Sequence, residues 1–245
     1  VYSPLDALRL AQENPTRQIV FVGVGFETTT PLVAMAIKRA RAMGLTNFTV
    51  YGAHKNMPGA LEVIINDPAL KLDALILPGH VSTIIGAEPY RFLAEKYGIP
   101  GVITGFEPVD VLQGIAMIMR QLHEGRAEIE IAYARGVMPE GNPVALAAID
   151  EVFETCSATW RGLGEIPGSG YRVREEFADF DAMRRFQPDV EEVREHKGCR
   201  CGDVLRGIMA PSECPLFRKI CTPENPVGPC MVSSEGSCAA YYRYY

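Results

Sequence analysis

Cysteine carries the most chemistry in this chain. Six of its seven cysteines fall between residues 199 and 238: Cys199, Cys201, Cys214, Cys221, Cys230 and Cys238, spaced C-x-C-x12-C-x6-C-x8-C-x7-C. The segment is rich in Pro and Gly and poor in apolar periodicity, so it buries too little to order itself and needs a staple or a metal. Structural zinc usually shows paired C-x2-4-C knuckles, whereas these thiols are spread singly. Four thiolates suffice for a [4Fe–4S] cluster. Spacing therefore favours an iron–sulfur site, with zinc and disulfides as the alternatives. Cys156 stands alone at the end of a helical pattern, where a small buried apolar side chain is the ordinary reading.

A second set of reactive types lies at the ends of apolar runs. Glu27 and Glu107 sit in two Gly-Phe-Glu triplets, 25–27 and 105–107, each after a strand pattern and before a helix pattern. His54 and His80 follow strands in Gly52-Ala53-His54 and Pro78-Gly79-His80. In a parallel sheet such positions share the carboxyl-end rim, where ligands and partners are met. Two His and two Glu could bind a divalent metal, yet no H-x-x-E or H-x-x-x-H spacing backs this, and rim side chains bonded to loops are the plainer reading. Gly23 and Gly25 begin a G-x-G-x-x-G turn but position 28 is Thr, and Glu27 would repel a phosphate, so nucleotide binding is disfavoured.

The elements that hold these residues follow from periodicity. Continuous β-rich runs over 19–24, 48–51, 74–77, 101–104 and 129–133 alternate with helical patterns over 31–43, 58–65, 82–97 and 109–123. The pattern predicts α/β architecture: parallel, Rossmann-like sheets flanked by helices, followed by a small Cys-rich domain. Ser3 to Leu8 reads as helix, and a further helix is predicted over 142–155, capped by Asn142 with Pro143 in its first turn. The expected domains are 1–135 (α/β), 136–198 (helix, Gly-rich segment around Trp160, charged linker) and 199–245 (Cys-rich).

A net charge of −6 disfavours a nucleic-acid backbone as partner. No apolar run is long enough for a membrane span, and Val1 to Leu10 lacks the regions of a signal peptide. A cytoplasmic location is expected, and there clustered thiols are more often metal ligands than disulfides.

Several motifs resemble those of the hydrogenase maturation factor HypD family. They are Gly25-Phe26-Glu27-Thr28-Thr29-Thr30-Pro31, Pro78-Gly79-His80-Val81-Ser82, Gly105-Phe106-Glu107-Pro108 and Trp160-Arg161-Gly162-Leu163-Gly164-Glu165-Ile166-Pro167. The tail joins them, from Cys221-Thr222-Pro223 through Cys230-Met231-Val232-Ser233-Ser234-Glu235-Gly236 to Cys238. The resemblance spans nearly the whole chain. It implies one [4Fe–4S] cluster in the 199–245 domain, held among Cys199, Cys201, Cys214, Cys221 and Cys238. By spacing, the ligands are Cys214, Cys221, Cys238 and one of Cys199 and Cys201; Cys230, read as part of a turn, is the least necessary.

The resemblance also implies a scaffold with a redox role rather than a turnover enzyme. With HypC it would build an Fe(CN)2CO unit on transiently bound iron, cyanide coming from HypE after HypF attaches a carbamoyl group. The product would pass through HypC to the hydrogenase large subunit. Glu27, His80 and Glu107 would then face HypC or the iron moiety. Family members begin with a further segment of roughly a hundred residues bearing Cys-Gly-Gly-His and Cys-Pro-x-Cys. The chain lacks these motifs and an initiator Met, and is expected to be the C-terminal two-thirds of such a protein, keeping the cluster site. The rival readings are a zinc-stapled binding module and a small-molecule enzyme using Glu27, His54 and His80.

Overall fold

A computed structural model describes residues 1–70, 72–189 and 196–245. The helices and strands run α1 Pro4–Glu13, β1 Ile19–Gly25, α2 Thr30–Ala42, β2 Phe48–His54, α3 Met57–Ile65, β3 Leu75–Pro78, α4 Gly79–Ile85, α5 Arg91–Tyr97, β4 Gly101–Thr104 and α6 Pro108–Glu124. They continue β5 Ile129–Ile131, α7 Pro143–Val152, β6 Phe153–Trp160, β7 Gly164–Val173, α8 Ala182–Phe186, α9 Cys201–Leu205, α10 Pro229–Val232 and α11 Ser237–Tyr244. Two compact units result: residues 1–62, 72–157 and 167–188 form one, and residues 63–71, 158–166 and 189–245 the other. No helix among the described residues is long and apolar enough to cross a membrane.

The first unit holds two parallel sheets. β1 pairs with β2 from Ile19↔Phe48 to Gly25↔His54. β4 is central in the second sheet, with β3 and β5 on either side, all parallel. Helices α1, α2 and α7 pack Leu8, Val33, Ile37 and Ile149 against Phe48 and Val50 of β2. Buried Asn47 anchors the start of β2, its amide donating to the carbonyls of Ala11, Asn14 and Arg17 at 2.9–3.0 Å. β1 is less well covered. Phe21 and Gly23 turn inward, while Val20, Val22 and Val24 on the alternate face are 43%, 60% and 68% exposed.

Local signals explain the helix starts. Ser3 and Asp6 form a reciprocal capping box at α1, with Pro4 in the first turn. Asn142 caps α7 by accepting from the N–H groups of Val144 and Ala145. At the start of α2 the hydroxyls of Thr29 and Thr30 donate back to the Phe26 carbonyl, tightening the turn that carries Glu27.

Three local expectations change. The single helix predicted over 82–97 is two, α4 and α5. Gly86 has φ +76°, and a Cβ there would lie 2.2 Å from the Pro139 carbonyl oxygen, so the chain bends away where only Gly fits. Pro89 then removes a helical donor. The helix predicted over 142–155 stops at Val152, and the chain enters β6. The Gly-rich stretch after Trp160 is a strand, β7, pairing with β6 in a hairpin. Of the charged linker, Ala182–Phe186 is helical and 190–195 lie outside the described residues.

Candidate functional site

The second unit is organised around its cysteines. Cys201, Cys221, Cys230 and Cys238 are buried with Val204, Leu216, Phe217, Met231 and Ala239, and Cys199 and Cys214 pack against the same core. Short helices set the thiols: Cys201 begins α9, Cys230 lies in α10 and Cys238 in α11. Cys214 follows a 3-10 turn over Pro211–Glu213. Two tyrosines of α11, Tyr241 and Tyr242, meet the Phe217 ring edge-on with centroids 5.9 Å away, closing the core on that side.

The sulfurs are close neighbours. Cys230 Sγ lies 3.0 Å from Cys238 Sγ. The Val227 N–H donates to Cys221 Sγ at 3.4 Å. Gly228 brings bare backbone against the C-x-C pair: a Cβ there would stand 2.6 Å from Cys199 Sγ and 3.3 Å from Cys201 Cβ. Gly236 does the same against the Cys230 carbonyl, at 2.4 Å. The hairpin tip joins this unit, since Arg161 donates to the Val227 carbonyl at 3.3 Å. A Cβ on Gly202 would meet the Gly162 carbonyl oxygen at 2.3 Å, so the tip and the start of α9 touch backbone to backbone.

Electrostatics disfavours the bare thiolate at Cys199 and at Cys230. Burial pushes the Cys199 thiol up; a backbone hydrogen bond from Cys201 opposes this, and the sulfurs of Cys201, Cys214 and Cys221 add to it. At Cys230 a hydrogen bond with Cys201 pulls the thiol down, but one with Cys238, together with burial and the Cys238 and Cys199 sulfurs, raises it to about 12. Several thiolates can coexist here only around positive charge. Among the described residues no three His, Cys, Asp or Glu side chains stand at metal-ligand spacing. The donor set is nonetheless of one kind, sulfur, with a backbone N–H aimed at one of the sulfurs. That suits a soft, thiolate-bound cluster.

The sequence-predicted rim residues separate into two environments. His80 and Glu107 are exposed. The His80 ring lies 4.2 Å from the Phe106 ring, and Glu107 stands 3.4 Å from Arg135. Arg135 makes two 2.6 Å hydrogen bonds to Asp110 and stacks on Tyr133, which fixes the turn into α6. Glu27 is only 1% exposed. Its Oε1 accepts from the Met57 N–H at 2.9 Å, and burial raises its carboxyl above the ordinary range. Met57 in turn lines an apolar pocket of about 410 Å3 with Pro78, Gly79, Gly105 and Phe106, so the Glu27 turn is linked to the rim that carries His80. His54 is buried beside Phe153 and over Gly23, and burial lowers it to about 4. Cys156 is half-buried on β6, and burial raises its thiol.

Cys230 departs from the expected turn. It lies in a helix, not a turn, and in the thiol core as deeply as Cys221. Gly228 and Gly236, one on each side of it, were the available signal, since both mark close backbone approach. The contribution of the hairpin tip was not legible, because no local pattern ties residue 161 to residue 227.

A sequence model of the HypD family, described as "Hydrogenase formation hypA family", matches residues 1–245. The chain is 51% identical over 249 residues to the hydrogenase maturation factor HypD of Rhodobacter capsulatus. It is 49% identical over 250 residues to the hydrogenase expression/formation protein HupD of Azotobacter chroococcum mcd 1. A putative hydrogenase expression/formation protein of Methanocaldococcus jannaschii is 43% identical over 246 residues. Each match covers all of this chain and 66%, 66% and 68% of the respective relative, so the chain spans about two thirds of their length. With its α/β fold, its Cys-rich C-terminal region and these relatives, the chain belongs to the HypD family of hydrogenase maturation factors.

Proposed function

We propose that the thiols of the second unit hold a [4Fe–4S] cluster, and that the protein acts as a scaffold in building the iron unit of [NiFe]-hydrogenase. The carrying observation is the convergence of six cysteines in one apolar core, with Cys230 and Cys238 at 3.0 Å and Gly228 against Cys199. Cys214, Cys221, Cys238 and one of Cys199 and Cys201 are the ligand set, and Cys230, equally deep, lies beside Cys238. Such a cluster, when bound, supplies single electrons at low potential. The residues around it exclude water through Phe217, Tyr241 and Tyr242, and the Val227 N–H bonded to Cys221 tunes the site.

Iron with cyanide and carbon monoxide is the substrate in this reading. HypC is the partner that shares it, HypE (charged by HypF) delivers the cyanide, and the hydrogenase large subunit receives the product through HypC. His80 and Glu107 are the rim residues exposed enough to meet HypC or the iron moiety. Enclosed Glu27 supports the loop behind them.

Anaerobic reconstitution with iron and sulfide tests the cluster. The parent chain should turn brown and bind both elements. Cys214→Ala or Cys221→Ala should lose most of each. Unchanged iron and sulfide in both variants would sink the assignment.

A further inference from the structure

The first unit contains a cavity of about 500 Å3 that the maturation reading leaves unused. Its size is ordinary for a small-molecule site. Three carboxylates line it, Glu27, Glu88 and Glu140, and no Lys, Arg or His does so among the described residues. Glu88 is already engaged by Arg91 at 2.6 Å, which leaves Glu27 and Glu140 uncompensated toward the cavity. Leu146 and Pro89 supply apolar wall, and Tyr171 an aromatic one.

Glu27 makes this more than an acidic patch. Its Oε1 is satisfied by Met57, but Oε2 is shut from solvent and meets no donor among the described residues. A buried carboxyl oxygen without a donor costs free energy that a correctly charged ligand would relieve. Asn56, the side-chain amide in the lining, makes no hydrogen bond to Oε2. Its Nδ2 is committed to the Gly168 carbonyl at 2.7 Å and its Oδ1 to the Gly59 N–H. No hydrogen bond reaches Oε2 from the described residues, the neighbouring Tyr90 and Tyr171 hydroxyls included, so a ligand can supply the partner. An anion is repelled by the lining, and a metal ion lacks a third convergent ligand. A compact cation with N–H donors and an apolar stem fits all three walls: carboxyl, aliphatic and aromatic.

We propose that this cavity binds a primary alkylammonium group, carried by a free amine or by a lysine side chain. Glu27 is its inner counter-ion and Glu140 stands at the mouth. The proposal is independent of the cluster reading, since no cysteine of the second unit takes part.

Titration calorimetry on the full chain decides it, with n-butylammonium as probe, 1-butanol as its neutral counterpart and a doubly blocked Ala-Lys-Ala as the peptide arm. Butylammonium should bind saturably and butanol should not. Glu27→Gln, which keeps the oxygen that accepts from Met57, should weaken butylammonium roughly tenfold, and Glu140→Gln by about threefold. Binding of the tripeptide would assign the lysine source. Its failure beside a bound butylammonium would assign a free amine, and both uphold the site. Equal binding of butanol, an unchanged affinity in Glu27→Gln, or no binding by butylammonium overturns it. Should Glu27→Gln not fold, an unchanged affinity in Glu140→Gln overturns it instead.

Discussion

At the scale of single residues, two buried titratable groups oppose one another. Burial lowers His54 to about 4 from its ordinary 6.5. Above pH 6.5 neither folded nor unfolded chain protonates it, and its contribution is intact. Between 6.5 and 4 only the unfolded chain takes the proton, so stability falls with pH by about 3 kcal/mol in all. Urea midpoints at pH 7.5 and 4.5 should show this loss in the parent and not in His54→Leu. Glu27 works the other way. Its raised carboxyl stabilises most below the ordinary 4.5 and loses that contribution as pH rises through the folded value. Glu27→Gln should therefore gain on the parent as pH rises from 5 to 8. A constant difference would mean that the carboxyl is already ionised at pH 5. Neither effect is legible in sequence: a His or a Glu after a strand reads as a rim group, and only packing decides that one rim position is enclosed while His80 stays in solvent.

At the scale of elements, the turn into α6 is held by the Arg135–Asp110 pair, and hydrogen bonds from Arg135 hold the Asp110 carboxyl below its ordinary 3.8. The pair stabilises above that pH and is lost as pH falls through the lower folded value. Asp110→Asn should lower Tm at pH 7, with the gap closing in strong acid; a gap that persists would assign the loss to packing. Gly79 poses a purely steric test. A Cβ there would lie 2.1 Å from the Thr104 carbonyl oxygen, so Gly79→Ala should cost about 1–3 kcal/mol in urea unfolding. The strands β1, β2 and β4 were legible because unbroken apolar runs leave little choice in a parallel sheet. The bend at Gly86 and the β6–β7 hairpin were not. Residues 82–97 keep helical periodicity through the bend, and Gly-rich β7 lacks the β-branched signature of a strand.

At the scale of the whole molecule, the two units rest on different physics. The first has a conventional apolar core around Phe48, Ile37 and Ile149. The second gathers its core from thiols and a few rings, and binding free energy of a thiolate-held cluster would become folding free energy there. Hydrogen exchange should show protection rising on reconstitution across residues 199–238 and little change in β2 or β4. A uniform rise would contradict this division. The gathering of cysteines was legible from density and spacing alone, whereas the inclusion of residues 63–71 and 158–166 in that unit was not, because long-range contact leaves no local mark.

The bare valines of β1 have a colloidal consequence. A β-branched strand paired with one neighbour among the described residues, with Val20, Val22 and Val24 open to solvent and no charge among them, is a template for stray strands from other copies. Held at high concentration, the isolated chain should form light-scattering oligomers, and a single gatekeeper, Val22→Lys, should keep it dispersed without altering the thiol core.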